Sequence, residues 1–316
     1  MRDAQRAHGR RARLRLVVNP AASAVTDKSR RAVREALAGH DVEEVETEKR
    51  DDATRLAKEG ADAGVDVVVV LGGDGTANEA ANGLLGTDTA LAALPGGSTN
   101  VFVRTLGLSH KPALAAAQVA EGLARTSLRL IPVGVANDRA FLFHVGIGFD
   151  AAVVAQVERH SALKRKIGQA IFVYAAFATW FRHYDTRDPS FALEFEDGSI
   201  VEDGYFSIVL NTNPYTYLGP RPLNVAPGAT GENGLATVTL RTLKVGALLG
   251  VTSRAMGKGD RVAEHPRVDH RRDQARVTVR GHRPVPWQVD GDYLGDTEHI
   301  VFTPSPHRLP VVVPGG

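Results

Sequence analysis

The stretch "VVVVLGGDGTANEAANGLL" occupies residues 67 to 85 and sets four valines and a leucine directly against Gly72, Gly73, Asp74 and Gly75. An unbroken aliphatic run suits a strand buried on both faces, as in a parallel sheet covered by helices. From Thr76 onward the apolar residues recur at helical spacing, so the stretch reads as strand, glycine turn, helix.

Its neighbours repeat the pattern. "LRLVV" (14 to 18), "VEEVET" (42 to 47), "VDVVVVL" (65 to 71) and "ALAALP" (90 to 95) read as strands. Between them "DKSRRAVREALAGH", "DDATRLAKEGADAG" and "TANEAANGLLG" are alanine-rich with a helical period. This alternation predicts a doubly wound parallel sheet. After about residue 130 the texture changes to strand after strand: "FLFHVGIGF", "FALEFED", "GYFSIVLN", "LATVTLRTL" and "ARVTVRG". One helical stretch, 150 to 182, interrupts them, and its aromatics read as core. The expected fold class is α/β plus all-β: a doubly wound domain over residues 1–133, then an antiparallel β-sandwich over 134–316 whose last strands are free to return to the first domain.

Composition bounds what such a chain does. With 316 residues, 43% hydrophobic and 23% charged, it has the make-up of a soluble globular protein with room for two cores. A net charge of +2 excludes bulk attraction to polyanions, so no nucleic-acid partner is expected. The first fifteen residues hold six arginines and one acid, which suits either contact with anionic headgroups or a solvated tail. The absence of cysteine excludes disulfides, thiolate zinc sites and cysteine nucleophiles. No signal peptide opens the chain, and "AIFVYAAFATWF" (170 to 181) is far short of the ~20 residues of a membrane span. The expected location is the cytoplasm, with any membrane contact peripheral.

In an open parallel sheet, ligands bind at the carboxyl ends of the strands, where a glycine turn lets backbone N–H groups approach phosphate oxygens. Gly72, Gly73 and Gly75 sit at such an end, and the helix from Thr76 aims its positive dipole at the same place. A tight turn needing positive φ would use one glycine, whereas three within four residues favour an anion seat. No Walker A loop occurs, Asn78 stands where a dinucleotide fingerprint has its third glycine, and no protein-kinase motif set is present. A second turn, "ALPGGSTNVFVRTLG" (93 to 107), follows the next strand, with Ser98 and Thr99 as caps and hydroxyl donors. Together with Gly97 and Asn100 it forms the other half of one cradle. Asp74 is the carboxylate suited to hold Mg2+ there, directly or through water. His144, His160 and His183 fall in no metal-ligand spacing and read as surface or core groups.

"VVNPAAS", "GGDGTANEAANGL", "LPGGSTNVFVRTLGL", "VGIGFDAAVV" and "VDGDYLG", in this order from residue 14 to about 304, resemble the diacylglycerol kinase catalytic family, which includes sphingosine, ceramide and bacterial soluble lipid kinases. The resemblance implies an ATP-dependent lipid kinase that transfers phosphate to the hydroxyl of diacylglycerol or a related long-chain alcohol presented at a membrane surface. It makes the first domain the nucleotide domain and the second the lipid-substrate domain. It also implies ATP contacts at Asn19 and Pro20 of the N-P pair, at Thr47, at Gly73 through Glu79 (Gly73, Asp74, Gly75, Thr76, Ala77, Asn78, Glu79), and at Ser98. The family's general base lies in a late D-G-E. Here Asp290, Gly291 and Asp292 stand there, and Asp292 takes the base's place with a side chain one methylene shorter. Asp150, ending "VGIGFD", is either a substrate-orienting group or a helix N-cap.

Departures from the family pattern are Val101 where an aspartate is frequent, Ser23 in place of a glycine, and Asn233 where bacterial members place an aspartate for a structural Mg2+. An amide is a poor ligand for so hard a cation, so no second metal site is expected. Two other readings stay open: an NAD kinase, which shares the GGDGT turn, and a non-catalytic nucleotide-binding regulator. An edge strand of the β domain leaves room for a homodimer.

Overall fold

Aliphatic runs and acidic or polar interruptions decide where the chain lies flat and where it turns. The computed structural model describes residues 11–148 and 188–315. It begins with β1 (Arg13–Val18), α1 (Asp27–Leu37), β2 (Asp41–Glu46), α2 (Asp52–Asp62), β3 (Val67–Gly72), α3 (Asp74–Leu84) and β4 (Ala90–Pro95). The short α4 (Val101–Thr105), α5 (Pro112–Ala124) and β5 (Leu128–Ile131) follow. A run of strands comes next: β6 (Gly134–Ala136), β7 (Arg139–Phe141), β8 (His144–Gly148), β9 (Phe191–Phe195), β10 (Ile200–Gly204), β11 (Phe206–Leu210), β12 (Thr216–Leu218), β13 (Arg221–Leu223) and β14 (Leu235–Leu240). The helix α6 (Val245–Ala255) precedes β15 (Val268–Gln274), β16 (Val277–Val289), β17 (Asp292–Pro304) and β18 (Leu309–Val312).

Residues 1–133 with 305–316 form one unit and 134–304 the other. In the first, the strand order is β2-β1-β3-β4-β18-β5, parallel from β2 through β18, with β5 antiparallel to β18. Every residue of β3 and β4 is buried, as expected for strands covered on both faces. α1 packs with α5 and α2 with α3, which gives the sheet its two helical layers. The outermost parallel strand, β2, alternates instead, and its Glu43, Glu44 and Glu46 pair with Arg15, Arg30 and Arg34. Charge on an edge strand discourages pairing with another chain. Chain order departs from β1 toward β2, then returns to β3 and β4. The topological switch point therefore lies between β1 and β3, where ligands of doubly wound sheets bind.

The second unit is a ten-stranded antiparallel sheet with a separate β12–β13 hairpin. The expected sandwich takes the form of one continuous hydrogen-bonded sheet. Bulges in β16 let that single strand pair with β9 over Val277 to Gly281 and with β8 over Trp287 to Val289. The strands close on a core of Phe141, Ile147, Phe191, Val279 and Phe302. A second cluster, with Ile208, Leu210 and Val238, lies under α6. Among the described residues no helix is long and apolar enough to cross a membrane. Asp150, His160, His183 and the helical reading of 150 to 182 lie outside the described residues.

Candidate functional site

At the switch point the carboxyl ends of β1, β3 and β4 are laced together through their backbones. Gly72 and Pro95 are paired residues at the ends of β3 and β4, and the Gly96 N–H donates to the Gly72 carbonyl at 2.7 Å. The two turns touch so closely that a Cβ on Gly96 would lie 2.8–2.9 Å from Gly72 N, Cα and C, and one on Gly97 would lie 2.9 Å from Gly73 Cα. Gly96 and Gly97 are demanded by space, whereas a Cβ on Gly73 would make only an ordinary contact, 3.6 Å from Gly97 Cα, and its φ of −83° is open to any residue. The positive-φ alternative is therefore set aside for this turn.

Asn19 braces the other side. Its N–H donates to Leu71 O at 3.0 Å and its Nδ2 to Thr76 Oγ1 at 2.9 Å, while its Oδ1 accepts from Ala21 N at 3.0 Å. The loop it opens returns to the second turn, where Ala24 N donates to Gly96 O at 2.8 Å. Pro20 and Ser23 are exposed on this loop. Thr47 follows β2 directly, half-buried, with its N–H on Val18 O. The Asp52 carboxylate closes the turn behind it by accepting from Glu48 and Lys49 N–H, and those amides hold it below the usual carboxylate range.

α3 starts at Asp74 behind Gly73, which has no side chain to cap it. The first-turn N–H groups therefore have no intrahelical acceptor and face the same edge as the second turn. Asp74 itself reaches across: Oδ2 accepts from Val101 N at 2.9 Å and Oδ1 from Phe102 N at 3.0 Å. It thus caps α4 from 27 residues away and ties the two turns together, a task the sequence pattern assigned to Ser98 and Thr99. Ser98 is exposed and Thr99 half-buried. Asn100 adopts φ 50° and closes its own turn, accepting from Gly97 N and donating to Gly97 O, both at 2.9 Å.

Two expected phosphate-side residues point to other work. Glu79 is 7% exposed, and its Oε2 accepts from Ala53 N at 3.2 Å, in the first turn of α2. A carboxylate there complements the helix dipole. Asn78 is 1% exposed and accepts from Asn82 Nδ2 through its carbonyl and its Oδ1. Gly96, absent from the residues singled out by sequence, binds both the first loop and β3; its signal was its place beside Gly97.

In the second unit, Asp290 (φ 48°) and Gly291 (φ 91°) form the two-residue turn between β16 and β17, with Val289 opposite Asp292. Positive φ at both positions is the type I′ geometry that an Asp-Gly pair favours. Asp290 is 1% exposed and accepts from Leu142 N (2.6 Å), Phe143 N (3.0 Å) and His144 N (3.0 Å), so its carboxylate is committed to the β8 segment. Asp292 is the half-buried first residue of β17. His144 is a core residue between the rings of Phe143 and Tyr215, and burial lowers its imidazole to about 3. It is thus one of the core groups expected, with no hydrogen-bond partner at Nδ1 among the described residues. No group of three or more His, Asp or Glu converges as a metal cage among the described residues.

A switch-point edge with two apposed glycine turns, a helix N-terminus and one carboxylate is the arrangement of a doubly wound α/β domain with a candidate anion seat at its strand ends. Residues 13–128 match the family model of the diacylglycerol kinase catalytic domain. The chain is 36% identical over 138 residues to a diacylglycerol kinase of Bacillus subtilis (strain 168), an alignment spanning 43% of this chain and 44% of that one. The chain thus spans about half the length of the curated relatives it matches at this level of identity. A diacylglycerol kinase of Staphylococcus saprophyticus is 25% identical over 313 residues, 93% of this chain and 96% of its own. The crystal structure of a diacylglycerol kinase from Bacillus anthracis str. Sterne shares the fold with a TM-score of 0.70 at 21% identity, covering 96% of this chain and 97% of that one.

Proposed function

We propose that the chain is an ATP-dependent lipid kinase that transfers the γ-phosphate of ATP to the hydroxyl of diacylglycerol or a related long-chain alcohol. The observation that carries this reading is the backbone contact of the two turns, Gly72–Gly73 against Gly96–Gly97, at the switch point. With the Gly96 and Gly97 N–H groups bonded to Gly72 O and Asn100 Oδ1, the first-turn N–H groups of α3 are the donors offered to a polyphosphate, with the exposed Ser98 hydroxyl on the neighbouring turn. Asn19 fixes the geometry by tying β1 to Thr76.

Mg2+ fits this seat in one way. Asp74 is the carboxylate at this seat, and Mg2+ is commonly held by one or two carboxylates with waters and substrate phosphates. When bound, the ion supplies neutralisation of the β- and γ-phosphate oxygens. Asp74 would hold the ion directly or through water, while its amide bonds keep the second turn in place.

Phosphoryl transfer consists mainly of positioning and charge stabilisation, with a carboxylate accepting the incoming hydroxyl's proton. Asp292 is assigned that proton, because Asp290 is spent on three amides. A positioned base of this kind contributes about 10²- to 10⁴-fold. The acceptor, a lipid alcohol, is presented at a membrane surface.

The test is a panel of lipid alcohols in mixed micelles, beside NAD, with radiolabelled ATP and Mg2+, on wild type, Asp74→Ala and Asp292→Asn. Label in a lipid alcohol, lost in both variants, is the expected outcome. Label in NAD alone makes the chain an NAD kinase. ATP binding without any labelled acceptor, unchanged by Asp292→Asn, makes it a nucleotide-binding regulator.

A further inference from the structure

Helix α6 is apolar on more than the side it packs. Val251 and Ala255 are buried, and Leu248 joins them against the Ile208, Leu210 and Val238 cluster. Elsewhere around the helix Val245, Leu249 and Met256 are 55%, 66% and 45% exposed. At about 100° per residue these three fall within roughly 40° of one another around the axis, so they form one outward stripe. No charged residue occurs from Val245 to Ser253, although a solvent-facing helix surface ordinarily carries them.

Positive charge collects at both ends of the stripe: Arg241 and Lys244 before it, Arg254, Lys258 and Arg261 after it. Asp203 neutralises Arg241 at 2.6 Å, Glu264 lies 3.4 Å from Arg261, and Asp260 is the acid within the second group. Lys244 and Lys258 take part in no ion pair among the described residues. Arg254 gives Nη1 to Gly250 O at 3.0 Å, and its buried Nε has no partner among the described residues. With Lys258, Asp260 and Arg261 it lines a depression of about 350 Å³ at the end of the helix.

We propose that this face of α6 docks on an anionic lipid bilayer. Val245, Leu249 and Met256 enter the headgroup–acyl boundary, and Lys244, Arg254 and Lys258 meet lipid phosphates. An apolar stripe with cations at its rim is the pattern of an interfacial helix, whose long basic side chains reach outward to the headgroups. Charge decides against a second copy of the chain. A two-fold contact along this stripe brings Lys244 of one copy against the cations at 254 to 261 of the other, and like charges repel. Such docking is separate from phosphotransfer and needs no nucleotide.

Its test is co-sedimentation of the full chain, without ATP, with vesicles of phosphatidylcholine alone or mixed with phosphatidylglycerol. The wild type is expected on the mixed vesicles and to leave them as salt rises. A basic residue at an anionic surface contributes about fivefold, so Lys244→Glu with Lys258→Glu weakens partition by at least about twenty-fivefold. Leu249→Glu is expected to weaken it by about tenfold or more, with Leu249→Gln as the milder variant should the first fail to fold by circular dichroism. Equal sedimentation of all variants, or equal binding of wild type to both vesicles, overturns the proposal. So does a wild-type dimer that Leu249→Glu splits in sedimentation velocity without any vesicle binding. A chain that binds vesicles but labels no lipid keeps this proposal and ends the kinase reading; one that labels a dispersed short-chain diacylglycerol yet ignores vesicles does the reverse.

Discussion

Replacing Gly96 by alanine puts one methyl group into the tightest contact of the candidate site. The added Cβ would stand 2.8–2.9 Å from three main-chain atoms of Gly72, whereas ordinary contact begins at 3.4 Å, so the ends of β3 and β4 must part by about 0.6 Å. Because all three atoms are backbone, no side chain can rotate away, and overpacking of this kind costs about 1–3 kcal/mol. The shift stretches the 2.7 Å bond from Gly96 N to Gly72 O and carries the amides of both turns with it. Binding constellations tolerate roughly 0.5 Å, and a displacement near 1 Å costs about a hundredfold. Gly96→Ala is therefore expected to lower ATP affinity by about 10- to 100-fold in isothermal titration. Its melting temperature should fall by about 2–4 °C per kcal/mol lost. Gly39→Ala is the control: nothing lies within 4 Å of the place its new methyl group would take, and its effect should stay within about 0.5 kcal/mol. A Gly96→Ala protein that binds ATP as wild type does, at an unchanged melting temperature, would refute the apposition of the two turns as the basis of the seat.

Asp74→Ala removes the acceptor for Val101 and Phe102 N–H and is expected to cost about 0.5–2 kcal/mol in urea unfolding. Asp74→Asn keeps an amide oxygen for one of them and should lose less stability than Asp74→Ala; the same loss in both would contradict the capping role. Asp290→Ala leaves three buried N–H groups without their carboxylate and is expected to destabilise by about 1–3 kcal/mol for each amide left unsatisfied. Asp292→Asn should instead keep its melting temperature and lose about 10²- to 10⁴-fold in kcat; a reversed pattern would exchange the two roles. Burial lowers the His144 imidazole from 6.5 to about 3, so below pH 6.5 the unfolded chain binds a proton that the folded chain refuses. Its contribution to stability is complete above pH 6.5 and is lost as pH falls toward 3. At about 1.4 kcal/mol per pH unit, roughly 2 kcal/mol disappears between about pH 6.5 and 5, and His144→Phe should remove that part of the slope in urea titrations at the two pH values. An unaltered slope would show that His144 titrates normally in the fold.

The doubly wound sheet was legible because β3 and β4 are aliphatic runs, β1 is apolar from Leu14 on but for Arg15, and all three end on turn residues. β2 was legible only as a strand; its three glutamates make sense once it is an edge facing Arg15 and Arg30. The return of β18 to pair with β4 and β5 depends on register between segments far apart in sequence, and "LPVV" fits many partners. In the second unit the strand-rich class was readable, yet the continuity of the sheet through β16 was not, because bulge positions carry no periodic signal. The glycine turns announced a backbone that must come bare to something. That the something includes the other turn, Gly72 against Gly96, follows only from the parallel pairing of β3 with β4. Asp74 shows the same limit, since its amide partners lie 27 and 28 residues away. The pair Asp290–Gly291 carried a hairpin signal of its own, which explains why Asp290 is spent on structure.

The most direct measurement is hydrogen exchange of the main-chain amides with and without Mg·ATP, followed over 72–76 and 96–100 together. Protection of both stretches at one nucleotide concentration, and its loss in Gly96→Ala, is the predicted result. Protection confined to one turn, or appearing in neither while the nucleotide still binds, would contradict the shared phosphate seat.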